Sequence, residues 1–236
     1  VYGAHPLPKV LFLRGGTHNA CAKSIGLKGT PDRILDRVVR RYHAGERIET
    51  TCQNIMRLED GLGVRHGFTL ATGFLYQFIE LIHQGRRDQP WKVALLLASM
   101  YGDLFIRSKQ IAQMFQPRPA RISLSGKQLD WPASNGLAAS TMEQIGVGMK
   151  PFDRANETPD TFHSMVFRVS PGRFARSSWR LLCGRIKEHP QMISTITDNL
   201  VLETDEPIRY ALDGDLFQGG RRLQLSSGPL LKLVLV

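Results

Sequence analysis

Near the amino end, Leu13-Arg14-Gly15-Gly16-Thr17-His18-Asn19 leads straight into an apolar helical pattern. A glycine pair, a hydroxyl and a helix start can cradle a phosphate. Glycine lets the backbone approach closely, and the first N–H groups of a helix carry partial positive charge. Far along the chain, Asp213-Gly214-Asp215 offers carboxylates that could take a proton from an attacking hydroxyl. Each feature also has a plainer reading. Thr17 could merely cap its helix, Asn19 could hold the turn by bonding nearby backbone, and Asp-Gly-Asp between strands is ordinary hairpin chemistry.

The elements around these residues follow from periodicity. Val10 to Leu13 reads as a buried strand, Asn19 to Ile25 as a short helix closed by Gly26, and Pro31 opens a second helix capped by Thr30. Ile34, Leu35, Val38, Val39 and Tyr42 mark one apolar face of that second helix, which predicts a packed surface helix. Ile48 to Arg57 and His66 to Ala71 read as strands, and Phe74 to His83 and Trp91 to Met114 as helices with a break near Gly102.

The remainder is strand-rich. Ala120 to Leu124 and Gln128 to Trp131 flank Ser125-Gly126-Lys127 as a hairpin. Leu137 to Ile145, Phe162 to Val169, Ile193 to Leu202, Ile208 to Leu212, Leu223 to Leu225 and Leu230 to Val236 follow. So many short strands predict a sandwich or barrel. One basic amphipathic helix, Arg173 to Lys187, interrupts them; it suits a lipid surface, or covers the sheet with solvated arginines.

The chain has 236 residues, enough for one large domain or a small piece plus a full one. Lys and Arg number 31 against 21 for Asp and Glu, which favours an anionic partner. Nucleic acid is not expected, because exposed aromatics do not interleave with the basic residues and Trp91, Trp131 and Trp179 are scattered. Cys21, Cys52 and Cys183 lie far apart, arguing against a zinc module or a disulfide framework and for a reduced interior. No apolar run reaches the roughly 18 residues of a membrane span, and the opening residues lack signal-peptide character.

Taken in order, the motifs resemble those of the diacylglycerol kinase catalytic family, which includes bacterial lipid kinases and, more distantly, sphingosine and ceramide kinases. Gly16-Thr17-His18-Asn19-Ala20-Cys21-Ala22-Lys23-Ser24-Ile25-Gly26 is similar to that family's Gly-Thr-Gly-Asn-Asp-Phe-Ala-Arg-Ser-Leu-Gly, with His18 and Ala20 replacing glycine and aspartate. Gly73-Phe74 resembles its Gly-Phe pair before a helix. Gly146-Val147-Gly148-Met149, Pro151 and Asp160-Thr161 resemble its Gly-Gly-Met, proline and Asp-Gly stretch, and Asp213-Gly214-Asp215 its Asp-Gly-Glu turn. Each motif is weak alone; the order of all four carries the resemblance.

The resemblance implies an α+β fold, with residues 1–45 as the C-terminal half of an α/β nucleotide-binding domain and 46–236 as a β-sandwich domain with peripheral helices. The family's Gly-Gly-Asp-Gly-Thr loop does not occur in this sequence, so a fragment or a lost upstream portion is expected. The implied activity is ATP-dependent phosphorylation of a diacylglycerol-like lipid, the alternative being a non-catalytic lipid-binding or regulatory module of the same fold. Gly16, Thr17 and Asn19 would contact nucleotide, and Asp215 would be the general base. Mg²⁺ would be bound through Asp160 and main-chain oxygens of Glu157 and Phe162. The implied location is cytoplasmic, peripheral at an anionic membrane surface, and a homodimer is among the expected assemblies.

Overall fold

Alternating burial organises most of the chain after Thr50: in Thr50–Glu59 (β1) Met56 and Leu58 are buried, while Arg57 and Glu59 are not. The computed structural model describes residues 7–15, 20–84, 102, 109–145, 149–182 and 190–236. The anticipated Gly16, Thr17 and Asn19 lie outside these, as do most of Trp91 to Met114, Gly146 to Gly148, and the end of the Arg173 to Lys187 helix.

Two short helices come first, Ala20–Ser24 (α1) and Pro31–His43 (α2). After β1 come Val64–Gly67 (β2), Thr69–Thr72 (β3), Phe74–Gln84 (α3), Lys109–Met114 (α4), Arg118–Pro119 (β4), Arg121–Leu124 (β5), Lys127–Gln128 (β6), Ala133–Ser134 (β7) and Gly136–Ser140 (β8). Phe162–Phe167 (β9), Pro171–Leu182 (α5), Met192–Thr197 (β10), Asn199–Glu203 (β11), Arg209–Leu212 (β12), Asp215–Gln218 (β13) and Arg222–Val234 (β14) complete the described elements. The fold is α+β, dominated by antiparallel sheet.

β4 and β7 form a separate two-stranded ladder, and two six-stranded sheets have the orders β2-β1-β14-β11-β5-β6 and β10-β9-β8-β3-β12-β13. Their facing sides enclose Met56, Leu58, Leu70, Ile122, Leu137, Val166, Leu200, Tyr210 and Leu225, all at most 2% exposed. That shared layer makes the pair a sandwich. A second apolar layer joins α3, α4 and α5 to the outer side of β8, β9 and β10. Phe74 is its centre, stacked on Phe115 at 4.3 Å and edge-on to Phe174 at 5.0 Å and Phe167 at 5.6 Å.

Several elements differ from the sequence expectation. The anticipated strand His66 to Ala71 breaks at Phe68, and its halves join different sheets. Ile193 to Leu202 divides likewise at Asp198 into β10 and β11. Leu223 to Leu225 and Leu230 to Val236 belong instead to one long strand, β14, whose pairing with β1 shifts register between Asn54 and Met56. Val10 to Leu13 forms no ladder beyond a single bridge: Val10 N–H donates to Lys232 O, and Val234 N–H to Val10 O. Thr30 is extended ahead of Pro31, but its hydroxyl makes no capping bond. On α2 only Ile34 is fully buried; Leu35, Val39 and Tyr42 are 48%, 43% and 72% exposed.

Candidate functional site

Five strands of the second sheet end at one rim. Leu212 closes β12 opposite Asp215, which opens β13; Leu212 also pairs with Leu70 of β3. Thr69 opens β3 opposite Ser140 at the end of β8, and Ser140 pairs with His163 near the start of β9. The Asp213 turn and the Asp160 to Phe162 loop therefore share that edge. Three strand spacings separate β12 from β9, about 14 Å at ~4.8 Å each.

Asp213 and Gly214 both have positive φ, 52° and 97°, the two-residue turn that matches strand twist. The plainer reading of Asp-Gly-Asp as a hairpin thus holds for the backbone. Asp213 does more than turn the chain. Its Oδ1 accepts hydrogen bonds from Phe68 N–H at 2.9 Å, Thr69 N–H at 2.8 Å and Thr69 Oγ1 at 3.1 Å. Those amides sit where the chain leaves one sheet for the other. Although much of Asp213 is exposed, the carboxyl turns inward, and burial pushes it above the usual carboxylate range against the bonds from Thr69 and Phe68. Negative Asp215 nearby adds to the rise. Asp215 itself is exposed.

Helix α1 ends in paired bonds from Gly26 N–H to Lys23 O and Leu27 N–H to Ala22 O, with Ala22 and Leu27 both buried. This closure fixes its direction. Ser24 Oγ donates to Cys21 O of the same helix at 2.8 Å and reaches Met142 Sδ at 3.3 Å, just beyond β8. Burial first, then the Asp213 charge, pushes the Cys21 thiol up to about 12. On the other flank, Phe12 packs edge-on against Phe68 at 5.7 Å. The residues described on both sides of Gly16 to Asn19 therefore pack against this rim, through Phe68 on one side and Met142 on the other.

The Asp160 loop is less open to a cation. Asp160 is exposed at φ 56°, the Glu157 carboxylate is held by Arg154 at 3.0 and 3.1 Å, and Thr161 Oγ1 donates to Thr158 O at 2.7 Å. Phe162 is fully buried. Among the described residues, no three His, Cys, Asp or Glu side chains gather to hold a metal. One carboxylate and main-chain oxygens are what this loop offers a hard cation.

Sequence reasoning missed three features of this rim. Asp213 stood in the motif, but its hold on Phe68 and Thr69 crosses 145 and 144 residues, a distance invisible to local pattern. Thr141, 1% exposed, has a hydroxyl without a hydrogen-bond partner among the described residues, while Gln53 Nε2 donates to its carbonyl at 2.6 Å. His163, also 1% exposed, bonds Ser194 Oγ through Nε2 at 2.7 Å, and burial lowers its pKa. No local signal marks either as special.

No helix among the described residues is long and apolar enough to cross a membrane. No protein-family model matches the sequence, and no curated protein matches it. Solved structures do match in fold. A diacylglycerol kinase from Bacillus anthracis str. Sterne aligns over 100% of this chain and 70% of its own, with TM-score 0.62 and 10% identity. Two further structures from that organism, provisionally assigned as diacylglycerol kinases, align with TM-score 0.66. One covers 97% of this chain and 70% of its own at 12% identity, the other 100% and 72% at 11%. The chain thus has a diacylglycerol-kinase-like fold.

Proposed function

We propose that the chain is an ATP-dependent lipid kinase, or the larger part of one, transferring a phosphoryl group to the hydroxyl of a diacylglycerol-like lipid. The observation carrying this reading is the packing of α1, which follows Gly16 to Asn19 in sequence, against the rim that carries Asp213 to Asp215, Ser24 reaching Met142 while Phe12 packs on Phe68. Phosphoryl transfer asks the protein mainly to position phosphates and a base. The fold of the matching structures adds support.

In this reading ATP supplies the transferable group, with its phosphates at Gly16, Thr17 and Asn19. Asp213 holds the turn by clamping Phe68 and Thr69, and Asp215 takes the lipid hydroxyl proton as that oxygen attacks. Asp160 and the main-chain oxygens of Glu157 and Phe162 would hold Mg²⁺, which when bound neutralises negative charge. The net charge of +10 supports peripheral attachment to an anionic membrane.

A second reading, a lipid-binding module of the same fold without kinase activity, draws support from the ordinary hairpin geometry at Asp213-Gly214 and the Arg154 to Glu157 pairing in the loop. Radiolabelled ATP with a lipid panel in mixed micelles separates them. The kinase reading expects label in a lipid product and its loss in Asp215→Ala with folding unchanged. Unlabelled lipid from the unaltered chain, or full turnover in Asp215→Ala, contradicts it.

A further inference from the structure

We propose that a cavity at the edge of the first sheet binds a small organic cation carrying an alkylammonium group. The cavity measures about 780 Å³ and lies between the segment that follows β6 and the loop that follows β11. That size is in the range of small-molecule sites. Trp131, half-buried and packed against the sandwich core, lines it beside Pro119, Pro132 and Gln128. Backbone bonds hold both walls: Ala120 N–H donates to Pro132 O at 3.1 Å, and Thr204 N–H to Arg221 O at 2.9 Å. β12 runs from this loop to the acidic rim and spans roughly 13 Å at ~3.3 Å per residue, so the cavity is separate from the site proposed for phosphoryl transfer.

The charges in the lining decide what fits. The chain as a whole has a net charge of +10, yet Asp130, Glu203 and Asp205 face a single arginine, Arg121, in this lining. Glu203 is already neutralised: its Oε2 lies 3.6 Å from Arg121 Nε and its Oε1 3.3 Å from Arg222 Nε. The same contact occupies Arg121. The exposed Asp130 and Asp205 side chains have no ion pair or hydrogen bond among the described residues. Two unpaired carboxylates repel phosphate and attract a cation. A metal ion needs converging ligands, and among the described residues no three His, Cys, Asp or Glu side chains gather. An indole wall instead suits the diffuse charge of an alkylammonium, whose carbon atoms leave water against the ring. A neutral ligand would use the ring and leave both carboxylates idle.

Choline is the test ligand, and the indole N–H signals of Trp91, Trp131 and Trp179 in the isotope-labelled chain report where it binds. Trp131→Phe identifies the Trp131 signal by its loss. With total salt held constant, that signal should shift saturably with a midpoint on the order of 1 mM, as for a ligand this small, while the other two stay in place. Neohexanol, the neutral carbon isostere of choline, should bind at least about tenfold more weakly. So should phosphocholine, whose phosphate meets the two carboxylates, and choline itself in the variant carrying both Asp130→Asn and Asp205→Asn. Both acids are exposed, so that variant should keep its circular dichroism spectrum. The titration needs neither ATP nor lipid. No saturable shift up to about 50 mM choline overturns the proposal. So does a midpoint unchanged for neohexanol, for phosphocholine or in the double variant.

Discussion

Replacing Asp213 with alanine removes the acceptor that holds the chain where it passes between sheets. The Phe68 and Thr69 amides, at 2.9 and 2.8 Å from Oδ1, lose their partner. Bonds to a charged acceptor contribute about 1.5–3 kcal/mol each, and water at the exposed side of the turn replaces part of that. About 1 kcal/mol per amide remains. Alanine at a φ of 52° adds roughly 1 kcal/mol, since aspartate tolerates left-handed backbone better. The sum is about 3 kcal/mol, a fall in Tm of roughly 6–12 °C for a chain this long. Asp213→Asn keeps one acceptor and should lose about a third as much. Asp215→Ala, at an exposed strand start, should stay within about 2 °C. Thermal melts followed by circular dichroism measure all three. An Asp213→Ala variant melting within about 2 °C of the unaltered chain refutes the clamp.

Three further outcomes follow from the packing. Asp60 is 1% exposed and accepts from Tyr210 Oη at 2.6 Å, Leu62 and Gly63 N–H at 2.9 Å, and Arg65 at 2.5 Å. Burial raises its pKa, but these partners together outweigh it and hold the carboxyl below its ordinary 3.8. Its stabilising effect is therefore present above pH 3.8 and lost as pH falls through the lower folded value. Asp60→Ala should cost about 3–5 kcal/mol in urea unfolding at pH 7, and less in acid. Gly73→Ala should prevent folding, or lower Tm by more than about 10 °C: at φ 63° a new Cβ would lie 2.2 Å from Asn135 O. His163 takes up a proton less readily folded than unfolded, so stability should fall as pH drops through 6.5 toward its lowered value. His163→Gln should flatten that slope in urea titrations between about pH 7 and 5.

Much of the sandwich is legible in sequence because alternation is local. The strands at Arg121 to Leu124, Phe162 to Phe167 and Arg209 to Leu212 are found near their expected places. Alternation cannot report which sheet a strand joins, so the breaks at Phe68 and Asp198 go unseen. At Phe68 the break depends on Asp213 from a distant hairpin. The stripe on α2 has the periodicity of a packed helix, yet periodicity measures only the capacity to pack. Burial of Leu35, Val39 and Tyr42 needs a partner surface that sequence pattern does not specify. The Asp-Gly-Asp motif identified the rim, but not the division of labour in which one carboxylate is bonded inward and the other faces solvent.

The central claim is that the helix following Gly16 to Asn19 in sequence lies at the rim that carries the acidic turn. Cys21 reports on it directly, because Asp213 helps raise its thiol. Alkylation rates at Cys21, mapped by mass spectrometry across pH 8–10 (about the range of ordinary thiols), should rise several-fold in Asp213→Asn while exposed Cys52 reacts unchanged. Equal Cys21 rates in the two proteins would contradict the shared site.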